Sequence, residues 1–443
     1  MKKIISLINN KLAHGGFARN VIIMFTGTAL GQLTSLLLSP VLTRIYSPDL
    51  FGMLGLFSSL VAILSVIASM RYEMAMTIVK NDKEAANLLA VCCSILFTTT
   101  CIFYLVLFLF PHELKISIIN YSEFTKSVYE SLKTYWYLLP IGFFGIGAYQ
   151  IMVSYATLAG AFGVISKTKI YQGVTGPVSQ IIMGIAGAGG FGLIIGFILG
   201  QSAGFLNILW KLIIKPKTII QQISYVDMKK IARRYIRFPL LSTWSALISA
   251  IGSNNILLLL IPIIYSHTVA GFIFLTDRII GRPLLLISTS ILQVYLGEAS
   301  KTQDSDPVAM RKRFLQITGG QFVIVSFWLI IINLTASFII PFVFGEEWKE
   351  AVIYIHVMSI CYLPQMIVTS VVHTLQILEK QGLMAMWDLS RFICVISGFI
   401  ISYEYSLEPQ QAVLIYCVTQ ALFQVILFGL MYISIQKLQP KKL

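Results

Sequence analysis

Apolar runs of about twenty residues recur from one end of the chain to the other, divided by short polar connections, and no other feature limits the fold as strongly. As a helix, a run of that length crosses the hydrocarbon core of a bilayer. A lone strand would leave its N–H and C=O groups unpaired in lipid, and the runs are too long and unbroken for barrel strands. Breaking the sequence where charge, proline and turn residues cluster gives twelve segments, near 20–41, 52–72, 86–109, 135–158, 171–190, 192–213, 238–261, 269–292, 317–340, 351–375, 384–402 and 411–434. The expectation is an all-α polytopic membrane protein of about twelve transmembrane helices, arranged as two six-helix lobes around a central cavity. The lobes are expected at 1–213 and 238–443, joined by a basic cytoplasmic linker at 214–237. Only 12% of the residues are charged, against about 25% in soluble proteins, which leaves no separate soluble domain.

The net charge of +14 would suggest nucleic acid in a soluble chain, so its placement matters. Of the 33 Lys and Arg residues, 25 fall at the two termini or on alternate loops, eight of them between Lys211 and Arg237. The opposite loops carry five, Arg44, Lys115, Lys126, Lys133 and Lys349. Cytoplasmic loops hold the positive excess, so both termini are expected in the cytoplasm and the charge is mainly a topology signal. The stretch from Lys211 to Arg237 also suits anionic lipid headgroups, and no folded basic domain is present for a nucleic-acid role. The opening residues are too polar at Asn9, Asn10 and Lys11 for a signal-peptide core, and read as a short helix on the membrane face or a flexible tail. The six cysteines lie in apolar stretches without zinc spacing and read as packing residues; neither a metal nor a cofactor is expected.

The halves look like copies. Tyr46-Ser47 followed by Gly52 recurs 219 residues later as Tyr265-Ser266 followed by Gly271, with Pro40 and Pro262 shortly before each. Six spans per copy is an even number, so the repeats would enter the membrane from the same side, related by an axis along its normal, with a substrate path between them. Gly187, Gly189 and Gly192 spell G-x-G-x-x-G, yet apolar spans flank them and the next acid, Asp227, is too distant for a dinucleotide site. They read as a hairpin, continued by Gly196, Gly200 and Gly204 as a small face for close helix packing, with Gly27 and Gly31 repeating that on the first span. Asp304-Ser305-Asp306 reads as a solvated loop rather than a metal-holding acidic pair. His356 and His373 share a span without the four-residue spacing of a metal site.

Ionisable residues inside spans are the informative ones, because each costs roughly 2.5–3.5 kcal/mol at mid-membrane. Arg278 and Arg282 lie four apart, beside Asp277 and ahead of Pro283, which should kink the helix. Asp388 and Arg391 lie three apart, as a pair or with the arginine offered to a cavity. Arg71 and Glu73 end the second span two residues apart, pointing to different faces of a helix. Four arginines against three acids give a positive bias suited to phosphate, whose oxygens match the guanidinium fork. The candidate substrate contacts are thus Arg71, Arg278, Arg282 and Arg391, with Glu73, Asp277 and Asp388 as ion-coupling or charge-pair acids.

Residues Leu38 to Leu89 resemble the N-terminal signature of bacterial polysaccharide transporters, the Wzx-type flippases of the multidrug/oligosaccharidyl-lipid/polysaccharide exporter superfamily. The most specific parts are Thr43-Arg44-Ile45-Tyr46-Ser47-Pro48 with Phe51-Gly52, and Arg71-Tyr72-Glu73 with Asn81-Asp82-Lys83-Glu84-Ala85. A second match is Phe342-Val343-Phe344-Gly345 with Trp348 and Ala351. The resemblance implies a flippase, not an enzyme, moving an undecaprenyl-pyrophosphate-linked oligosaccharide such as an O-antigen, lipopolysaccharide or capsule unit across the bacterial inner membrane by alternating access. It favours Arg71 through its Arg-Tyr-Glu motif, whereas the other three arginines rest on charge alone. Other membrane proteins of polysaccharide assembly are further candidate partners. Two alternatives stay open: a multidrug or small-solute exporter of the same superfamily, and an integral membrane glycosyltransferase or polymerase. The latter needs a large external loop bearing acids or arginines, and the longest here, Pro111 to Lys133, carries only Glu113, Glu123 and Glu130, without metal-like spacing.

Overall fold

A computed structural model describes residues 16–79, 81–109, 135–214, 218–252, 255–302 and 307–437. The question of an N-terminal surface helix, the loop from Pro111 to Lys133 and the Asp304–Asp306 motif fall outside them. The expected all-α class is borne out: the described residues contain helices and no strand. In chain order the principal helices are α1 (Gly16–Leu37), α2 (Ser39–Ile45), α3 (Pro48–Leu64), α4 (Asp82–Leu109), α5 (Leu139–Leu158), α6 (Phe162–Ile185), α7 (Gly189–Ser202) and α8 (Tyr225–Arg234). There follow α9 (Thr243–Gly252), α10 (Asn255–Ile264), α11 (His267–Thr276), α12 (Arg282–Thr302), α13 (Pro307–Phe344), α14 (Ala351–Thr369), α15 (Gln381–Glu404) and α16 (Pro409–Gln436).

Among the described residues ten helical stretches are long and apolar enough to cross a membrane, or eleven if Ala246–Gly252 and Asn255–Ile264, bent by 56°, form one span. The expected segment at 238–261 is therefore broken. The segment expected at 171–190 is helix α6, which begins at Phe162 and so takes Lys167 and Lys169 out of a loop and into its first two turns. With those lysines, Gln172 and Gln180, it is too polar to count among the ten, although its 24 residues reach about 36 Å. The helix expected over 52–72 also stops early. After Leu64 come a single 3-10 turn, Ser65–Ile67, then Met70 and Arg71 at φ +47° and +62°, then a 3-10 stretch, Tyr72–Ile78.

Two compact units divide the helices, and neither is continuous in sequence. Unit 1 takes the described parts of Met1–Leu38, Leu64–His112 and Tyr135–Trp244, including the segment expected as a linker. Unit 2 takes Ser39–Ile63 together with the described residues from Ser245 onward, so α2 and most of α3 group with the second half of the chain.

In unit 1 the glycines act as the spacing predicts, except that α7 ends at Ser202, so Gly204, at φ +91°, lies in the turn after the helix rather than on its face. A Cβ on Gly27 or Gly31 of α1 would lie 2.5 or 2.3 Å from a backbone oxygen of α6, at Ser166 and Lys169. One on Gly200 of α7 would lie 2.6 Å from the Cα of Gly176, so α6 is gripped by small faces on both neighbours. Gly187 and Gly189, at φ +79° and +51°, turn the chain from α6 into α7, the hairpin expected of the G-x-G-x-x-G string.

In unit 2 the two repeat motifs meet each other. A Cβ on Gly52 would lie 1.7 Å from the carbonyl oxygen of His267, and one on Gly271 would lie 1.9 Å from that of Pro48. His267 is the residue 219 positions after Pro48, as Gly271 is after Gly52, so the contact is reciprocal, as a local twofold axis requires. This close approach draws α3 onto α11. Trp348, fully buried, closes the same junction: its Nε1–H donates to the Thr43 carbonyl at 3.1 Å, and its ring meets Phe51 and Phe272 edge-on at 5.0 and 6.1 Å. Each such aromatic pair adds about 0.5–1.5 kcal/mol beyond its buried area. Two signature segments some three hundred residues apart, Thr43–Gly52 and Phe342–Trp348, thus form one packing centre.

Candidate functional site

Pro283 sits one residue into α12, and its missing N–H and bulky ring disturb the helical ladder just before it. The chain responds with a π-turn, Asp277–Gly281, between α11 and α12. On an α-helix Asp277 and Arg282, five apart, would diverge. The wider i→i+5 turn brings them over one another, Arg282 Nε lying 3.6 Å from Asp277 Oδ2. The other oxygen of Asp277 accepts a hydrogen bond from the hydroxyl of Tyr362 on α14, at 2.8 Å. Gly281 leaves room for that bond, because a Cβ there would lie 2.4 Å from Asp277 Oδ1. The Arg282 side chain remains 42% exposed, its guanidinium 5.5 Å from the centre of the Phe274 ring. Arg278, its electrostatic neighbour, is buried at 7%. The two arginines are close, as their spacing predicts, yet only Arg282 presents its fork.

Arg391 is held differently. Its guanidinium donates to Asp388 at 3.0 Å, lies 4.6 Å over the Trp387 ring, and has only 9% of its side chain exposed. Trp387 is itself fixed by a 2.7 Å bond to the Phe423 carbonyl of α16. Tyr416 of α16 lies near both Arg391 and Tyr362, and Gln420, one turn on, donates to the Gly252 carbonyl. Tyr362, Trp387, Tyr416 and Gln420 form polar surroundings of the two charge pairs, and nothing in the sequence marked them, because aromatic and amide residues at helical spacing are ordinary packing residues.

Unit 1 holds Arg71 and Glu73. Two apart, they were expected on different faces of a helix, but the chain there is no α-helix. Arg71 in the left-handed region followed by a 3-10 stretch turns the residues toward one another, with Nη1 3.6 Å from Glu73 Oε1. Glu73, 6% exposed, also accepts from the Ser69 hydroxyl, whereas Arg71 keeps 29% of its side chain exposed and its Nε–H has no hydrogen-bond partner among the described residues. The positive φ of Arg71 costs energy for any residue with a Cβ. Lys169 is a further half-buried cation, 3.2 Å from Gln172 Oε1 and 4.9 Å over the Tyr149 ring.

The rest of the Asn81–Ala85 signature does structural work on α8. Asn81 caps α4 by accepting from the Glu84 N–H at 2.8 Å. Glu84, 7% exposed, takes one bond from Arg234 at 2.7 Å and another from the Tyr235 hydroxyl at 2.9 Å. Burial, and then the Glu84 carboxylate, raise the Tyr235 hydroxyl above its ordinary value of 10.0, so it stays protonated as a donor. Asn87 donates to the Gln222 carbonyl and accepts from the Ser224 N–H, and Lys83 pairs with Asp227 at 2.7 Å. That lysine holds the Asp227 carboxyl below its usual range. From the other motif the Tyr72 hydroxyl donates to the Ala232 carbonyl at 2.9 Å. Among the described residues no three His, Cys, Asp or Glu gather to hold a metal ion.

A family model described as polysaccharide biosynthesis protein matches residues 41–353. Among solved structures the chain is similar to an inward-facing multidrug-resistance MATE transporter of the MOP superfamily, with TM-score 0.64 and 15% identity over 94% of this chain and 98% of that one. It is similar to the lipid II flippase MurJ in an inward closed conformation, with TM-score 0.65 and 13% identity over 93% of this chain and 87% of that one. It is also similar to a MOP superfamily transporter from Pyrococcus furiosus, with TM-score 0.51 and 15% identity over 95% of each chain. At such identities the likeness establishes the fold. No curated protein sequence matches the chain.

Proposed function

Since the chain belongs to the polysaccharide biosynthesis protein family, we propose that it is a flippase that carries an undecaprenyl-pyrophosphate-linked oligosaccharide across the bacterial inner membrane by alternating access. The observation that carries this reading is the family match over residues 41–353, and the arginines set into apolar helices add the chemistry. The pyrophosphate must leave bulk water to cross, and fixed guanidinium groups in a low-dielectric setting replace part of its hydration. Arg282 and Arg71 suit that task best: each faces an acid at 3.6 Å, beyond hydrogen-bond length, and each is partly exposed. Arg278 is the buried neighbour that raises the local positive charge. Arg391, buried and held by Asp388 and the Trp387 ring, is the weaker candidate. Asp277 and Glu73 then act as charge partners that orient the arginines.

The test is expression in a strain lacking its own flippase for a surface polysaccharide. Restored polysaccharide at the surface, with a fall in lipid-linked oligosaccharide held in the inner leaflet, is the expected result. Resistance to cationic drugs without restored export would replace the proposal by a small-solute exporter.

The proposed orientation puts both termini and the loop from Lys211 to Arg237 in the cytoplasm. Cysteines placed at Lys217 and at Ser122, with the six native cysteines removed, are expected to label from opposite sides, Ser122 from outside. Labelling of both from outside would refute it.

A further inference from the structure

Helix α8 has three distinct sides. Ile231 and Tyr235, 8% and 5% exposed, with Met228 and Ala232, pack into the core of unit 1. Asp227 and Arg234 lie on one flank, tied to Lys83 and Glu84. The side facing away carries Lys229, Arg233 and, just past its end, Arg237, with Lys230 at its edge beside Asp227, all exposed. Interleaved with them are apolar side chains equally bare: Tyr225 at 79%, Val226 at 60% and Ile236 at 45%. The exposed apolar run continues beyond the helix in Leu240 and Trp244, at 61% and 67%.

We infer that this face is a docking surface for anionic glycerophospholipid headgroups of the leaflet in which it lies. Two observations favour lipid over other polyanions. Cations alternating with bare apolar groups fit the boundary between headgroup and acyl chain, where one set meets phosphate and the other meets hydrocarbon. A soluble polyanion would leave Val226, Ile236 and Leu240 in water. The helix is also anchored at the right depth. It is bonded through Lys83, Glu84 and Asn87 to the first two turns of α4, a membrane-span candidate beginning at Asp82, so it lies where that span leaves the bilayer. The buried Glu84 contacts keep α8 in place whether or not lipid is bound, so the surface is preformed.

The inference predicts a lipid effect that does not require transport. Full-length protein in nanodiscs of phosphatidylcholine containing phosphatidylglycerol is expected to melt a few degrees higher than in phosphatidylcholine alone, the gap closing as salt is raised. A variant carrying Lys229→Gln, Lys230→Gln, Arg233→Gln and Arg237→Gln is expected to melt equally in both. Wild-type protein with no gap, or a variant that keeps the whole gap, overturns the inference. So does an equal rise when inorganic phosphate or an oligonucleotide is added to wild type in neutral nanodiscs, because that assigns the face to a soluble anion. Should the variant fail to fold, amide exchange of wild type decides: residues 225–237 are expected to exchange more slowly in the anionic nanodiscs, and unchanged exchange overturns the proposal.

Discussion

Alanine at Arg71, Arg278 and Arg282 together is expected to abolish surface-polysaccharide export while the protein still reaches the membrane. Hydrogen bonds to a charged group contribute about 1.5–3 kcal/mol each, so on the proposed reading losing the open guanidiniums of Arg71 and Arg282, with the buried charge of Arg278 beside the latter, is expected to slow transport by about a hundredfold or more. Lysine at the same positions is expected to restore part of the export, since a point charge keeps the attraction but loses the two-pronged fit. Arg282 should respond most strongly among single changes, because Asp277 is also bonded to Tyr362 and stays satisfied when the arginine is removed. Arg71→Ala leaves Glu73, 6% exposed, with the Ser69 hydroxyl donating to it but without its cationic partner, so protein abundance must be measured beside export. Arg391→Ala is expected to lower abundance first, because it strips a nine-tenths-buried Asp388 partner from over Trp387. Complementation in the flippase-deficient strain, normalised to membrane abundance, reads all of these. Full export by the triple alanine variant at normal abundance would end the anion-binding proposal and leave the fold intact.

The second large effect is on folding. Gly52→Leu and Gly271→Leu are each expected to cut the amount of folded protein severalfold, since a Cβ would stand 1.7 or 1.9 Å from a main-chain oxygen of the facing helix. Only a shift of α3 against α11 relieves that, and overpacking of this kind costs about 1–3 kcal/mol or more. Such a shift would also lift Phe51 off Trp348, coupling the damage to the Thr43–Trp348 bond. The control is Gly429→Leu on α16, where an added Cβ meets nothing within 4 Å. Detergent-solubilised protein followed by size-exclusion chromatography and thermal melting checks the prediction; variants at Gly52 and Gly271 that melt like wild type would show that the close approach is not tight.

Much of the fold was legible because bilayer insertion is decided locally. A window of twenty residues either tolerates hydrocarbon or does not, and most of the segments set by that criterion coincide with helices. The glycine faces were legible for a similar reason, since four-residue spacing alone puts Gly27 and Gly31, or Gly196 and Gly200, on one side. The repeat at Gly52 and Gly271 was visible as a pattern, but not that its two copies press against each other.

The breaks and the pairings were not legible. Whether Leu64 ends a helix depends on what surrounds Met70 and Arg71, and their left-handed backbone has no signature in those residue types. The π-turn before Pro283 changed which residue Arg282 faces, from one chosen by α-helical spacing to Asp277. The motif residues Lys83 and Glu84, and Asn87 just after them, looked like parts of a pattern with an unknown task; in the folded chain they hold the segment Gln222–Tyr235, about 140 residues away. What the sequence by itself determined was therefore the helical class, the positions of most of the apolar helices and the placing of its charges along the chain, all consequences of local hydropathy and period. Which charges are neutralised, which remain open to a ligand and which glycines touch were decided only by tertiary structure, because an ion pair or a close contact is a property of two distant segments brought within a few ångströms, and neither segment carries it alone.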